Sequence, residues 1–220
     1  MKMLQPMNCV SLGVAKIVLF LSIAAAQADD ISGIKKKGDW LVGAKLMGLI
    51  PQESSVVSIG GEAKVDADFV PMVDVRYFLR DRFSIETIWG FSEHKAKAVG
   101  TALGDIDLGK TKVLPPTLTL QYHLDTKSRF SPYIGAGVNY TAFVDCDPGA
   151  VRDVTYDDGF GYVINLGFDY FFGPKKYFNL DVKKYSISTD VFVDAGVAGT
   201  AEASVDLDPL GVSLGFGWVF

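Results

Sequence analysis

The stretch Leu210-Gly-Val-Ser-Leu-Gly-Phe-Gly-Trp-Val-Phe220 decides how this chain is read. In an extended strand successive side chains point to opposite sides. Leu210, Val212, Leu214, Phe216, Trp218 and Phe220 therefore share one face, and Gly211, Ser213, Gly215, Gly217 and Val219 share the other. One face is bulky and apolar, the other mostly small. Such a strand either packs its bulky face on a soluble core or turns it to lipid and leaves its small residues in a narrow lumen.

The N-terminus chooses between the two. Lys2 and Lys16 precede the apolar run Ile17-Val-Leu-Phe-Leu-Ser-Ile23, and Ala26-Gln-Ala28 fits the small-x-small pattern of a signal-peptidase site ahead of Asp29-Asp30. The apolar run is shorter than the roughly 20 residues a membrane helix needs. Residues 1–28 are expected to be a cleaved export signal and 29–220 one domain. Removing the signal takes away two lysines and no acid, so the exported chain is more acidic than the formal charge of −5. An acidic chain without a basic block excludes nucleic acid as a partner. Cys9 leaves with the signal, and a lone Cys146 cannot form an intrachain disulfide. Beyond residue 28 no apolar run is long enough for a membrane helix, so any membrane crossing falls to strands.

The same alternation recurs upstream. It runs through Met72–Leu79, Phe83–Phe91, Thr117–Leu124, Ile134–Tyr140 and Phe160–Phe172, and less cleanly through Trp40–Ile50 and Phe178–Ser188. With the terminal strand this predicts an eight-stranded antiparallel transmembrane β-barrel of a bacterial outer membrane. The connections alternate as well. Arg80-Asp-Arg82, Asp125–Arg129 and Gly173–Lys176 are short, whereas 51–65, 93–111, 144–158 and 190–204 are long. Short periplasmic turns and longer extracellular loops are the pattern of such barrels, and closure removes sheet edges. A soluble eight-stranded ligand barrel would not need the aromatic girdles suggested by Trp40, Trp89, Tyr122, Tyr170, Trp218 and Phe220.

If the bulky faces meet lipid, charges on the other faces must meet one another. Lys45, Arg76 and Lys183 are expected to point inward with Asp74, Glu86, Asp169 and Asp181, as an ion-pair network in the lumen. Eight strands leave room only for side chains or one small ligand. Lys184 breaks the pattern by falling on the predicted lipid face. Pro115-Pro116 cannot donate to a strand ladder. The pair marks either the place where an external loop joins its strand or a weak point in the wall. A serine-hydrolase relay is not evident. Ser92, Glu93 and His94 are adjacent on a strand and point to opposite faces, and His123 is placed inward near a periplasmic turn. Two histidines and one cysteine make no metal cluster, so no cofactor and no catalytic residue are expected.

Five segments together resemble the outer membrane protein W (OmpW) family. These are Val113-Leu-Pro-Pro-Thr117, Ser131-Pro-Tyr-Ile-Gly-Ala-Gly-Val-Asn-Tyr-Thr141, Leu207-Asp-Pro209, His94-Lys95 and Gly104-Asp-Ile106. The resemblance implies a narrow, partly apolar channel associated with passage of small hydrophobic molecules, and exit through the barrel wall. Met47, Leu49, Met72 and Ile88 would then line its greasy part. Expected partners are outer-membrane lipid and lipopolysaccharide, the outer-membrane assembly machinery and small hydrophobic molecules. Phe216, Trp218 and Phe220 resemble the terminal signal that the machinery reads. A structural or adhesive barrel with a plugged lumen, and a lipid-modifying enzyme, are the competing functions.

Overall fold

The computed structural model describes residues 35–220 except Glu53, Ile59 and Leu103; the expected export signal lies outside the described residues. Strands come in chain order as β1 (Trp40–Ile50), β2 (Ser54–Val57), β3 (Glu62–Val65), β4 (Asp68–Arg80) and β5 (Phe83–Gly90). They continue as β6 (Ser92–Thr101), β7 (Gly104–Leu114), β8 (Thr117–His123), β9 (Phe130–Asp147) and β10 (Asp153–Tyr156). The last five are β11 (Gly159–Phe171), β12 (Lys176–Ser186), β13 (Ser188–Asp194), β14 (Thr200–Asp206) and β15 (Leu210–Val219).

Eight of these form a closed antiparallel ring, in the order β1-β4-β5-β8-β9-β11-β12-β15 and back to β1. The terminal strand pairs on both edges, with Gly215 opposite Lys45 of β1 and Asn179 of β12. Burial runs inside out. Arg76, Glu86, Asp169 and Lys183 are fully buried, while Phe216 is 57% and Ile164 63% exposed. A water-soluble fold would strand such charges in its core and its large apolar groups in solvent. A barrel in lipid requires this arrangement.

Trp40 packs on Tyr77 and Phe83 on Tyr122 in tilted pairs at the short-turn end; Tyr140 packs on Phe160 at the other. These outward rings form belts at both rims, where amphipathic aromatics are stable between hydrocarbon and water. The glycines of β15 make room for neighbours. A methyl added at Gly217 would lie 2.3 Å from Tyr177 Oη, and one at Gly215 2.5 Å from Lys45 Cγ.

The four long stretches expected as loops carry strands of their own. β3, β6 and β7 extend the wall from the upper part of β9, and β10, β13, β14 and β2 form a second sheet above the β11-β12-β15-β1 side. Period-two alternation simply continues there. Ala96, Ala98 and Leu108 are buried, while Lys95, Lys97 and Asp107 are exposed. Small and charged residues carried the alternation, so it stood out less than the bulky membrane pattern. Lys184 keeps its predicted register opposite Ile164 and Leu210. Its ammonium bends to the outer rim, donating to Gln52 Oε1 at 2.7 Å and to the Asp208 carbonyl. It snorkels.

Candidate functional site

The lumen is layered. At the short-turn end Leu41, Phe78, Phe171, Tyr177 and Val219 close the mouth with an apolar cluster. Above it lies the charged layer, and the inward positions of β1, β4, β5, β11 and β12 supply it because period two places alternate residues on the inner face. Arg76 binds Asp169 through two parallel hydrogen bonds of 2.8 and 3.0 Å, the bidentate geometry that suits a guanidinium and a carboxylate. Lys183 Nζ is 2.6 Å from Glu86 Oε2 and 3.0 Å from Asp181 Oδ1. Lys45 Nζ lies 3.3 Å from both Asp74 and Glu86. Asp74 also lies 3.3 Å from Arg76 Nε, but its oxygens make no aligned hydrogen bond, so charge alone holds it.

Sequence reasoning missed a member of this layer. Lys35 comes from the segment before β1, and its Nζ contacts Asp169 at 2.6 Å, His123 Nδ1 at 2.7 Å and Ser131 Oγ at 2.8 Å. Among the described residues the layer thus pairs four cations (Lys35, Lys45, Arg76 and Lys183) with four anions (Asp74, Glu86, Asp169 and Asp181). Nothing in Lys35-Lys-Lys37 distinguishes the residue that turns inward, because the segment has no strand periodicity. His123 is inward as expected, with Nε2 2.8 Å from Ser84 Oγ. Tyr133 donates to Asp181, and Asn179 to Asp169. Tyr133 thereby takes the Asp181 oxygen that Lys183 leaves, while Asn179 shares Asp169 Oδ1 with Arg76.

One step further up, the lining changes. Met47, Val70, Met72 and Ile88 form a buried apolar cluster, with Leu49 packed against it. Over this cluster opens a cavity of about 170 Å³ bounded by Met47, Leu49, Val70 and Met72 below and by residues of both upper sheets, among them Leu108, Val191 and Val205, above. Three of the four residues expected to line a greasy channel border this cavity. Ile88 does not: it lies fully buried within the cluster beneath.

The double proline lies between β7 and β8, where the wall is interrupted. β5 pairs with β8 as far as Ile88 opposite Thr117, and β6 pairs with β7 from Ser92 opposite Val113. Between those rungs Trp89-Gly-Phe91 faces Leu114-Pro-Pro116 without ladder pairing. Neither proline has an N–H to give. The Pro116 carbonyl instead accepts from Tyr140 N at 3.0 Å, so this stretch is tied to β9 on its other side. Pro115 borders the cavity.

Ser92 and His94 also border the cavity. Adjacent residues point to opposite faces, but these two are two apart and share one, so Ser92 Oγ and His94 Nε2 meet at 3.0 Å. Sequence reasoning considered only the neighbours and missed this pair. The remaining ring nitrogen faces the Asp66 carbonyl at 3.4 Å, so the third partner is a backbone oxygen, not an acid. Burial holds the His94 imidazole below its usual pKa, with Asp66 and Asp68 opposing that shift. Cys146 is half-buried, its Sγ 3.4 Å from Thr111 Oγ1.

Known proteins share both the sequence and this architecture. The sequence profile of the OmpW family matches residues 36–220. Outer membrane protein W of Vibrio cholerae is 32% identical over 212 residues, covering 91% of this chain and 93% of the relative. PahQ of Pseudomonas aeruginosa, named as a dibenzothiophene metabolism operon protein, is 30% identical over 164 residues, 73% of this chain and 76% of its own. The crystal structure of OprG from Pseudomonas aeruginosa superposes with a TM-score of 0.78 at 31% identity, covering 84% of this chain and 97% of that one. With a closed eight-stranded barrel, an inside-out burial pattern and a match from residue 36 to the terminal phenylalanine, the chain belongs to the OmpW family of bacterial outer-membrane proteins.

Proposed function

We propose that the protein is a conduit for small hydrophobic molecules that enter from the extracellular end and leave sideways into the outer leaflet. One observation carries this reading: the apolar cavity is floored by the Met47, Val70, Met72 and Ile88 cluster with the ion-pair layer beneath it, yet touches Pro115 at the interrupted wall. An apolar solute moving straight down the axis would have to displace buried charges, which is costly. Moving sideways, it exchanges one apolar surface for another. The name of PahQ, which ties that relative to the metabolism of an aromatic hydrocarbon analogue, fits such a cargo. Lipid and lipopolysaccharide of the outer leaflet would be the immediate acceptors. The alternative of a purely structural barrel draws on the plugged lower lumen, but gives no role to the cavity.

The test is uptake of naphthalene into proteoliposomes with a lipopolysaccharide outer leaflet. Wild-type protein is expected to accelerate uptake over protein-free vesicles. Leu49→Glu, which puts an unpaired charge on the cavity wall, should cut the acceleration about tenfold. Wild-type uptake no faster than that of empty vesicles rules the conduit out.

The terminal strand supports a second role. Phe216, Trp218 and Phe220 stand exposed on its outer face, where an assembly receptor can read them before the barrel closes. Deleting Phe220 or making Phe216→Asp is expected to lower the yield of heat-modifiable, membrane-embedded protein severalfold. Full yield from both variants would count against an assembly signal.

A further inference from the structure

We infer that the cargo reaching the wall break is an uncharged amphiphile, an apolar chain bearing one oxygen head group such as an alcohol, aldehyde or ester, and that Ser92 backed by His94 holds that head. The inference rests on the conduit reading and specifies its substrate class.

Ser92 is 5% exposed, and its side chain faces a cavity whose walls are overwhelmingly aliphatic. Two other hydroxyls on the cavity wall are engaged with the protein: Thr141 donates to Asn139 and Thr189 to the Asp157 carbonyl. The Ser92 hydroxyl has His94 as its one hydrogen-bond partner among the described residues. A hydroxyl offers one donor and two acceptor positions, so capacity is left over. The imidazole makes it adaptable. With the proton on Nδ1 directed at the Asp66 carbonyl, Nε2 accepts from Ser92, whose lone pairs then accept from an alcohol. With the proton on Nε2, Ser92 is free to donate to an aldehyde or ester carbonyl.

Charge argues for an uncharged head. Burial disfavours the charged form of His94, and Asp66 and Asp68 lie close enough to act on its ring in the opposite sense. Among the described residues no lysine or arginine lines the cavity, so a carboxylate at Ser92 would meet the field of Asp66 and Asp68 without a compensating cation on the cavity wall.

Height in the membrane supplies the reason for such a site. Ser92 with Val113 is the first paired rung above the interruption, and Trp89 and Phe91, at 52% and 67% exposure, mark the aromatic belt beside it. Aromatic belts lie at the level of lipid head groups. A head held at Ser92 is therefore already at interfacial height. The tail can pass through the break into hydrocarbon while the head moves sideways without crossing it.

The experiment is equilibrium binding of 1-octanol, n-octane and octanoate to the full-length protein in lipid nanodiscs, with empty nanodiscs as the blank. Ser92→Ala is expected to weaken 1-octanol about fivefold, the worth of one hydrogen bond, and to leave n-octane unchanged. Ser92→Thr, which retains a hydroxyl, should restore the preference. Octanoate should bind the wild type more weakly than 1-octanol. Equal affinities of wild type and Ser92→Ala for 1-octanol overturn the inference, as does equal weakening of alcohol and alkane or a preference for octanoate. Failure of wild-type protein to bind either uncharged ligand would instead remove the conduit reading beneath it.

Discussion

The lower and upper halves of the lumen are built on the same strands and differ completely in chemistry. On β1 the inward series passes from Lys45 to Met47, on β4 from Asp74 to Met72, and on β5 from Glu86 to Ile88. A single two-residue step takes each strand from a buried charge to a buried aliphatic, and between neighbours the change is displaced by one such step, with Lys45 opposite Met72 and Asp74 opposite Ile88. The reason lies in what each half must exclude. A barrel this narrow can be filled by side chains, and charges can fill it only if every one meets its opposite. Below the step they do so and the axis is shut. Above it the lining is almost wholly apolar, and space for a guest remains.

The largest effect on this contrast is expected from Arg76→Ala. It removes the guanidinium from between Asp74 and Asp169 and leaves two buried carboxylates short of a partner. Breaking a buried pair in this way costs about 3–5 kcal/mol. The urea midpoint of the folded barrel in detergent micelles should drop accordingly, and an unchanged midpoint would mean that packing alone holds the lower half. The smallest effect on stability is expected from the double substitution Pro115→Ala with Pro116→Ala. It restores two backbone donors at the interruption and should move the midpoint by no more than about 1 kcal/mol. Amides at 115 and 116 should become protected from hydrogen exchange while naphthalene uptake slows. Unprotected amides with unchanged uptake would show that the two halves communicate with lipid elsewhere.

Much of this was legible in advance because it depends on period two alone. Alternation placed Lys45, Asp74, Arg76, Glu86, Asp169, Asp181 and Lys183 on inner faces, and each is buried there. It also placed Met47, Leu49 and Met72 on the faces that border the cavity. Periodicity could not rank depth, so Ile88 looked equivalent to its neighbours although it lies sealed beneath them. Lys35 escaped because no periodicity governs the segment before β1. The Ser92–His94 pair escaped for the opposite reason. Alternation would have put both on one face, but only the fold shows that the two side chains turn toward each other.

What the sequence determined by itself is therefore local and repetitive: strands with a lipid face and a lumen face, short turns at one end and long connections at the other. Those features follow from the geometry of an extended backbone and from the penalty of leaving apolar or charged surface in the wrong solvent. The tertiary structure decided which inward charges pair, where the charged layer stops, and that the long connections rise as two sheets around a cavity. It also decided that the double proline coincides with an unpaired stretch of wall. Each of these depends on strand register, and register is a relation between segments distant in sequence that no single strand encodes.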